Sequence, residues 1–459
     1  MVNVQEHQAS EPTRLDPIEA DYVVVGAGAM GMAFVDEILS HGDGTVAMID
    51  RHAKPGGHWN DAYAHVRLHQ PSFFYGVSST RLGTDRVDEV GLNAGLSELA
   101  SGAEVCAYFD QVMQRRFLPS GRVTHLPSAD YADGVVTIAP SGATVEVRAR
   151  RAVVDATYMK VTVPSTRPPA YEIDAGATVI PPNDLPKVAG RVAGYTIVGA
   201  GKTAFDAILW LLANHVEPSA IRWIAPRDSW LINREFTQPG ERFRIGEQVE
   251  LIAAADSADD LFAAMESSGQ FLRIDPSVEP TMYRCATVTE AELVELRRVH
   301  DVVRGQRVGR IGVDVIELDD GSTLPTTSNT VHVDCSADGL ERRPVAPVFT
   351  DGRITLQTLR TCQQVFSAGL IGRIETLPDA SLDEKNELAT VIPHPDTPHD
   401  FLTTSLAHFH NMGRWGMHPV IGEWLLESRL SPGGPRAVGD FATAIEAVGK
   451  LESFLQPAP

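Results

Sequence analysis

The stretch Asp21-Tyr-Val-Val-Val-Gly26-Ala-Gly-Ala-Met-Gly31 decides the fold of this 459-residue chain. Its three consecutive valines predict a buried parallel strand, and residues 32–39 predict a helix that packs back on that strand. The turn between them has the spacing G-x-G-x-x-G, in which glycine permits a sharp bend and a close approach of the backbone to a pyrophosphate. The start of the helix offers free N–H groups to phosphate oxygens. We therefore predict a dinucleotide-binding turn made of Gly26, Ala27, Gly28, Ala29, Met30 and Gly31.

A carboxylate closes the second strand of this unit. Asp50 stands nineteen residues after Gly31, where an acceptor for a ribose hydroxyl belongs. Arg51 follows it and, a few residues later, the run Gly56-Gly57-His58-Trp59. An acidic residue, a short spacer, Gly-Gly and Trp resemble the pattern of two-dinucleotide-binding-domain flavoproteins, in which the first fold holds FAD. The alternative is a unit that binds only a nicotinamide dinucleotide. The resemblance implies FAD contacts from Asp50, Arg51, Gly57, His58 and Trp59.

A second glycine-rich turn begins about 170 residues after the first. Residues 195–198 predict its strand, Gly199-Ala-Gly-Lys-Thr-Ala204 its turn and residues 221–225 its next strand, with alanine as an allowed variant at the third glycine position. Two such units in one chain are a far more specific signal than one. We predict that the second unit binds NAD(P)H through Gly199, Gly201, Lys202 and Thr203.

The strand at residues 221–225 is followed by Arg227 instead of a carboxylate. A guanidinium suits the 2′-phosphate of NADPH, whereas a carboxylate suits the ribose hydroxyl of NADH. We therefore predict NADPH as the reductant. NADH stays open, because Asp228 lies directly beside Arg227.

The composition limits the classes of binding partner and the cellular compartment that we expect for this protein. A net charge of −21, with no run of Lys or Arg, argues against nucleic acid and membranes as partners, so a small molecule is expected, and a homodimer stays open. The 4 cysteines are scattered and form no C-x-x-C, which predicts no thioredoxin-reductase type of dithiol and no disulfide framework, and agrees with a cytoplasmic protein. Residues 1–20 have no apolar core, so no signal or transit peptide is expected, and the most apolar run, 204–213, is too short to span a bilayer.

The loop of residues 66–76 follows the first unit and is rich in aromatic and amide side chains. It lacks helical and strand periodicity. In the flavoprotein family this position lies along the isoalloxazine ring. The resemblance implies a catalytic position for Gln70, with Ser72 as a second hydrogen-bonding group and His69 as a proton donor. The alternative is an aromatic loop that is packed for stability alone.

Three further positions resemble cofactor contacts of the family. Residues 103–109 are interpreted as a strand entering a helix, with Val105 on the next central strand and its backbone at the adenine. A later strand ends in Ala156 and Thr157 and resembles the family's strand ending in Ala-Thr-Gly, with tyrosine in place of the glycine. A small-residue turn at Ser367 opens a predicted helix, whose N–H groups can face the flavin edge.

The carboxyl-terminal part holds many histidines. His408-x-His410 would suit a metal if it lay on a strand, but no Cys or acidic ligand stands at the usual spacing, so we predict no metal site. The interpretation we prefer is a surface helix that Trp415 and Trp424 anchor to the core.

The order of these units predicts an α/β fold with two Rossmann-like dinucleotide-binding domains, the NAD(P) domain being inserted in the FAD domain. We assign a flexible tail to residues 1–17 and the first FAD segment to 18–165. The NAD(P)H domain, with a helical insertion, spans 166–342, and the FAD return segment with its C-terminal helices spans 343–459. Within the insertion, residues 290–303 carry a helical signal.

This order covers nearly the whole chain and resembles the class B flavoprotein monooxygenases, which include flavin-containing, N-hydroxylating and Baeyer–Villiger enzymes. The resemblance implies FAD and NADPH, and insertion of one oxygen atom from O₂ into a small organic substrate through a C4a-hydroperoxyflavin. The sequence departs from the family's motif Phe-x-Gly-x-x-x-His, because residues 174–180 have Asp in place of the Phe and Ile in place of the His. The alternatives are an NAD(P)H-dependent reductase or dehydrogenase without oxygen insertion, and a non-catalytic flavin-binding protein.

Overall fold

The computed structural model describes residues 13–188, 192–431 and 441–456. In chain order, its strands are β1 (Ile18–Val25), β2 (Val46–Ile49), β3 (Gly76–Val77), β4 (Thr80–Arg81), β5 (Val123–Leu126), β6 (Ala129–Ala132), β7 (Val135–Ile138), β8 (Thr144–Asp155), β9 (Glu172–Ile173), β10 (Thr178–Ile180), β11 (Gly194–Val198), β12 (Ile221–Ala225), β13 (Ser229–Asn233), β14 (Phe271–Leu272), β15 (Met282–Val288), β16 (Asp301–Arg304), β17 (Val308–Ile311), β18 (Val315–Leu318), β19 (Thr323–Pro325), β20 (Thr330–Asp334), β21 (Phe349–Thr350) and β22 (Arg353–Thr355).

The α-helices lie between some of these strands and after the last of them. In chain order they are α1 (Ala29–His41), α2 (Gly102–Val112), α3 (Lys202–Ala213), α4 (Ile245–Ala254), α5 (Ala258–Ser267), α6 (Glu290–Leu296), α7 (Gln364–Glu375), α8 (Leu382–Leu388), α9 (Pro398–Met417), α10 (Pro419–Glu427) and α11 (Phe441–Phe454). Helices α2, α6, α8 and α9 each begin with a capping box, in which a Ser or Thr and an acid three residues later satisfy each other's backbone N–H groups.

The first sheet is centred on β1. β1 pairs in parallel with β2 and β8, so that Val24 lies opposite both Met48 and Val154. The order across the sheet is β21, β22, β8, β1, β2, β5, and the β6–β7 hairpin joins it through β8. Val24 packs against the helices on one face, and Val23 packs against the hairpin on the other. A strand covered on both faces needs a continuous apolar run, which confirms the strand predicted from the valines.

The strand predicted at Val105 is wrong. Residues 102–112 form α2, and Val105 is fully buried inside that helix. The reason is the capping box of Ser101 and Glu104, which starts a helix directly before the apolar residues. The place beside β2 is taken instead by β5, where Val123 lies opposite Val46.

The second sheet consists of the parallel strands β10, β20, β11, β12 and β16, in that order. The predicted strand-turn-helix-strand unit is confirmed as β11, α3 and β12. The helical signal over residues 290–303 is correct only as far as Leu296. Asp301 begins β16, because the β-branched Val302 and Val303 pair with β12.

The chain returns to the first sheet after β20. β22 pairs in parallel with β8, with Ile354 opposite Val154. α7 then packs so closely on α1 that a Cβ on Gly372 would lie 2.9 Å from the carbonyl oxygen of Phe34. The second sheet is therefore inserted in the first, which confirms the predicted α/β fold class.

The two ends of the first domain are held in different ways. Residues 1–12 of the predicted tail lie outside the described residues, and Leu15 N donates a 2.8 Å hydrogen bond to Thr144 O on β8. At the other end, Trp415 Nε1 donates to Leu388 O at 2.8 Å and Trp424 Nε1 to Glu37 Oε2 at 3.0 Å, so both tryptophans anchor their helices as predicted. The exact domain boundaries stay a prediction.

We expect Gly31→Ala to lower the free energy of unfolding by about 1–3 kcal/mol, because a Cβ there would lie 2.0 Å from the carbonyl oxygen of Gly26. Chemical denaturation measures this change. The control is Gly449→Ala inside α11, where a Cβ meets no atom within 4 Å, and which should raise stability by about 0.5–1 kcal/mol. Equal effects of the two substitutions would contradict the close packing of α1 on β1.

Candidate functional site

The first glycine turn joins the end of β1 to the start of α1. Gly26 has φ +106°, a conformation that favours glycine, and Ala29 and Met30 begin the helix. Gly28 is the N-cap of the helix. Because it has no side chain, it makes no capping hydrogen bond to the first N–H groups of α1. A Cβ on Gly28 would lie 3.5 Å from the Cα of Gly57, so the two glycine runs face each other backbone to backbone. The helix start thus presents N–H donors in a backbone-walled groove, which suits a pyrophosphate.

Asp50 ties the end of β2 to this turn. Its Oδ2 accepts a 2.6 Å hydrogen bond from Ala27 N, and its Oδ1 accepts from His52 N at 2.7 Å and lies 3.0 Å from His52 Nδ1. A carboxylate offers about four acceptor positions, so one remains for a ribose hydroxyl. Arg51, the next residue, is exposed.

The end of β8 closes the turn from the other side. Ala156 N donates to Val25 O at 3.0 Å, and a Cβ on Gly26 would lie 3.0 Å from the methyl group of Thr157. The Thr157 hydroxyl donates to Asp155 Oδ1 at 2.8 Å, which fixes its side chain. The structure therefore places Ala156 and Thr157 against the first glycine turn, and their cofactor contact stays a prediction.

The second glycine turn joins β11 to α3, which begins with Lys202 and Thr203. Gly199 has φ +138°, and a Cβ there would lie 2.4 Å from Cys335 O, so only glycine fits. Gly201 immediately precedes the helix, and a Cβ there would meet no atom within 4 Å. The space above this turn is open for a second pyrophosphate.

A loop of the first domain reaches the second turn. Tyr63 OH donates to Asp206 Oδ2 at 2.7 Å, and Asp206 also pairs with Lys202. Burial, followed by the negative charge of Asp206, raises the pKa of Tyr63, so the phenol keeps its proton and its donor role. This contact joins the two domains at the turn that we assign to NAD(P)H.

A cavity of about 1060 Å³ lies between the second glycine turn and the loop that follows the first glycine turn and Gly57. Trp59, His69 and Gln70 of the first domain line it, and so does the run of residues 199–203 of the second domain. Trp59 Nε1 donates to Tyr75 OH at 2.6 Å, which holds the indole in the wall. A ligand bound at the second turn therefore faces the residues that follow Gly57 in the first domain.

Gln70 and His69 lie where the sequence places them, in the wall of this cavity. Gln70 Oε1 accepts a 3.2 Å hydrogen bond from Gln363 Nε2, and His69 O accepts from Arg234 Nε at 2.9 Å. The Nδ1 of His69 is buried without a hydrogen-bond partner. Burial, followed by the positive charges of Lys202 and Arg234, lowers the pKa of His69 to about 4, so its imidazole is neutral at pH 7. The pair brings hydrogen-bonding groups to the cavity without a charge.

His58 precedes Trp59 in the same wall and, like His69, has a pKa that is lowered by burial. The two ring centroids lie 5.2 Å apart. Burial lowers the pKa of His58 to about 4, which also leaves this imidazole neutral. This side of the cavity is aromatic and uncharged.

Ser72 does not reach the cavity. Ser72 is buried. Its Oγ donates a hydrogen bond to Glu98 O at 3.0 Å and accepts one from Ala100 N at 2.7 Å. The hydroxyl thus uses its one proton and one of its two acceptor positions to hold the loop to Glu98 and Ala100. The geometry gives Ser72 a structural position instead of the predicted catalytic one.

Ser367 is likewise a structural residue, although α7 does begin at the cavity. Its Oγ accepts from Leu359 N at 2.9 Å and donates to Gln363 O at 2.6 Å, and its side chain is fully buried. Gln363 and Gln364 line the cavity at the start of the helix. The predicted turn at Ser367 is wrong, because α7 already begins at Gln364, and the side chains that face the cavity precede Ser367.

Arg227 lines the cavity within a cluster of charges. It pairs in a bidentate manner with Asp396 at 2.7 and 2.8 Å, Arg342 pairs with the same carboxylate, and Arg284 pairs with Asp338. The arginines hold the pKa of Asp396 well below its usual range. Three guanidiniums against two carboxylates leave net positive charge beside β12, which suits a 2′-phosphate. Such a phosphate would share Arg227 with Asp396.

We expect Arg227→Ala to weaken NADPH binding by about 1.5–3 kcal/mol while NADH binding changes little, because only NADPH carries the 2′-phosphate. Dissociation constants for both nicotinamides measure this. The control is Arg222→Ala on β12, whose guanidinium pairs with Asp301 at 2.9 Å and does not line the cavity. If Arg227→Ala weakens both nicotinamides equally, Arg227 does not bind the phosphate.

The expectation of no disulfide is wrong, since Cys285 pairs with Cys362, with Cα atoms 6.4 Å apart. Both residues line the cavity, and His394 Nδ1 lies 4.0 Å from Cys362 Sγ. Residues 284–286 of β15 bulge opposite Leu231 of β13, which turns Cys285 out of the strand. The two cysteines are 77 residues apart in sequence, so no local pattern joins them. The bond ties the inserted domain to the segment before α7.

The two C-terminal histidines do not form a metal pair. His408 and His410 are two residues apart on α9, and side chains at this spacing on a helix do not face each other. Among the described residues, no group of three or more His, Cys, Asp or Glu is placed to hold a metal ion. Within the same residues, no helix is both long and apolar enough to cross a membrane.

Sequence reasoning missed four side chains that line the cavity: Tyr63, Arg342, Arg360 and Gln363. They stand on loops outside any recognised spacing, and each meets its partners only through tertiary contacts. The best available signal was the position of Arg360 and Gln363 shortly before the helix predicted to open at Ser367.

These features define a protein of the two-dinucleotide-domain class, with one glycine-turn sheet inserted in another. No family model matches the chain. The chain is 48% identical over 421 residues to the uncharacterized protein Rv2000 of Mycobacterium tuberculosis (strain ATCC 25618 / H37Rv), covering 90% of this chain and 78% of that protein. The same values hold for the uncharacterized protein Mb2023 of Mycobacterium bovis (strain ATCC BAA-935 / AF2122/97). The chain belongs to the family of these mycobacterial proteins.

Among solved structures, the chain is similar to flavin monooxygenases. A crystal structure of cyclohexanone monooxygenase with ε-caprolactone bound has a TM-score of 0.48 and 13% identity, covering 96% of this chain and 99% of that one. A flavin-containing monooxygenase from Stenotrophomonas maltophilia has a TM-score of 0.42 and 16% identity, covering 78% of this chain and 97% of that one.

Proposed function

We propose that this protein is an FAD-dependent, NAD(P)H-using oxidoreductase that acts as a monooxygenase and inserts one oxygen atom from O₂ into a small organic substrate. The observation that supports this most is the cavity between the second glycine turn and Trp59, His69 and Gln70 of the first domain. A dinucleotide held at the second turn would extend into this space, and one held at the first turn would reach it past His58, which follows Gly57 and lines the cavity. When bound, FAD supplies the two-electron chemistry that links the nicotinamide to O₂.

The residues at the two turns fit these cofactors. The groove between Gly28 and Gly57 and the open space above Gly201 are places that a side chain would fill and a pyrophosphate can enter. Asp50 keeps one acceptor position for a ribose hydroxyl. The positive cluster at Arg227 favours NADPH over NADH. We propose FAD for the first turn and NADPH for the second.

The side chains of the cavity wall suit a reaction that must be kept from water. Trp59 and Tyr75 cover one wall with aromatic surface, and an enclosed apolar wall excludes water from reactive groups. Gln70 can donate a hydrogen bond without bringing a charge. His69, which is neutral, can hold or move one proton at Nδ1, because this atom has no other partner.

The test is turnover of the FAD-loaded protein with NADPH under ¹⁸O₂ across a panel of small organic substrates. The proposal expects one labelled oxygen atom in the product and the other in water, with one NADPH used for each product. NADPH use that needs no O₂, or that returns all of the oxygen as hydrogen peroxide with every substrate, would contradict oxygen insertion and leave an NAD(P)H-dependent reductase.

A second candidate function is an NAD(P)H-dependent reductase whose electron acceptor is the disulfide Cys285–Cys362. The position of this disulfide in the cavity wall favours it. In this reaction NADPH, one proton and the disulfide would give NADP⁺ and two thiols. Without O₂, NADPH should then raise the number of free thiols from two, Cys106 and Cys335, to four. The control Cys285→Ser should keep three thiols with and without NADPH. An unchanged count in the unsubstituted protein removes this candidate.

We expect Gly28→Val to fold but to purify without FAD, because the added side chain would enter the groove between Gly28 and Gly57 and keep the pyrophosphate out. Absorbance at flavin wavelengths and the melting temperature measure the two properties. The matched control is Gly201→Val in the second turn, which should keep FAD and lose reduction by NADPH. Full flavin content in folded Gly28→Val would show that this turn does not bind FAD.

We expect Gln70→Ala to keep FAD and to accept electrons from NADPH at a near-normal rate, but to form less product and more hydrogen peroxide. The reason is the loss of a fixed, uncharged hydrogen-bond donor at the place of oxygen transfer. Simultaneous assays of NADPH, product and peroxide measure this coupling. Gln357→Ala is the control, since its amide binds Ala346 away from the cavity and its loss should leave the coupling unchanged. Unchanged coupling in Gln70→Ala would make Gln70 a packing residue.

A further inference from the structure

Arg360 is a buried cation in the wall of the shared cavity. It lies between β22 and α7 and is only 5% exposed. Its guanidinium lies over the ring of Phe366, 4.7 Å from the centroid, and its Nη2 is 3.8 Å from Met412 Sδ. Its Nη1 is buried without any hydrogen-bond partner. The side chain is therefore held in place by weak contacts that leave its donors largely unused.

Arg360 differs in this respect from the arginines of the charge cluster beside β12. Arg227 and Arg342 pair with Asp396, and Arg284 pairs with Asp338. No carboxylate of the described residues lies within 4.0 Å of the Arg360 guanidinium. Its charge is thus not part of the ionic cluster beside β12.

A buried charge without a partner is unfavourable, because it loses its hydration and gains no counter-charge. Burial lowers the pKa of Arg360 to about 10, so the guanidinium still carries its charge at neutral pH. Since the free protein supplies no anion at this place, an anionic ligand is the partner that would satisfy the group.

His408 brings a second unused group to the same place. It projects from α9 into the cavity wall, and its Nδ1 is buried without a partner. Burial, followed by the positive charge of Arg360, lowers the pKa of His408 to about 3, so the imidazole is neutral and adds a donor or acceptor without a competing charge. Gln363, three residues after Arg360, donates to Gln70 Oε1 at 3.2 Å, which connects this part of the cavity to the predicted reaction centre.

We infer that Arg360 and His408 form a subsite for the carboxylate group of an organic substrate. The identification of the ligand as a substrate rests on the proposed function. A planar guanidinium binds a carboxylate through two parallel N–H···O bonds. One unpaired cation matches one negative charge, which favours a carboxylate over a phosphate dianion.

The remainder of the cavity indicates an apolar body for this ligand. Phe271, Tyr283 and Phe401 line the wall formed by the insertion and α9, with ring centroids 5.0–5.5 Å apart. Such rings bind apolar groups and offer little to a strongly hydrated molecule. The expected substrate class is an aliphatic or aryl carboxylic acid.

The experiment is calorimetric titration of the protein as purified, without NADPH, with acetate, hexanoate and phenylacetate, each compared with its neutral amide. We expect at least one carboxylate to bind about tenfold more tightly than its amide, the size of effect given by a charge-assisted pair. Arg360→Met should remove this preference, and Arg360→Lys should keep part of it, since it retains the charge but not the fork. Arg414→Met, on α9 but outside the cavity, should change nothing.

Thermal unfolding provides a second readout that does not depend on one probe. Arg360→Met should raise the melting temperature of the free protein, because it removes an unpaired buried charge, and should abolish the stabilisation by carboxylates. The inference is overturned if no carboxylate outbinds its amide, if Arg360→Met keeps the preference, or if that variant loses FAD, which would assign Arg360 to the cofactor. Because the titration needs no turnover, absence of ¹⁸O in products would defeat the proposed function while leaving an Arg360-dependent carboxylate site standing.

Discussion

Helix α1 lies so close to the end of β1 that a Cβ on Gly31 would come within 2.0 Å of the Gly26 carbonyl oxygen. This contact sets the direction of the helix, and its free N–H groups therefore point into the groove beside Gly57. Asp50 fixes the same turn from the end of β2 by accepting from Ala27 N at 2.6 Å. α7 packs on the same helix equally closely, since a Cβ on Gly372 would lie 2.9 Å from the carbonyl oxygen of Phe34.

The inserted domain is joined to this frame at particular contacts. Tyr63 OH binds Asp206 at the second glycine turn, and Cys285 is bonded to Cys362 just before α7. Gln363, the next residue, donates to Gln70 of the first domain. These contacts hold the second glycine turn against the loop that follows the first one, with the cavity between them. Although the whole chain has a net charge of −21, several arginines line the wall of this cavity.

Much of the fold could be predicted from sequence because it depends on short-range patterns. Consecutive valines, the glycine spacing and the residues of β11 and β12 each act within a few positions, and all of these elements are confirmed. The prediction failed where a local signal was overlooked, as at Val105, where the capping box of Ser101 and Glu104 starts a helix. It also failed at Ser72, whose hydroxyl does not reach the cavity and instead binds the backbone of Glu98 and Ala100.

The sequence by itself determined that two glycine-rich strand-turn-helix units exist and in what order they stand, because each unit depends on apolar runs and glycine spacings within a few residues. It could not decide which side chains face the shared cavity. That Cys285 meets Cys362, or that Arg360 is buried beside His408 without a carboxylate, depends on residues brought together from distant segments. Only tertiary packing decides which polar groups are satisfied within the protein and which are left to hold a ligand.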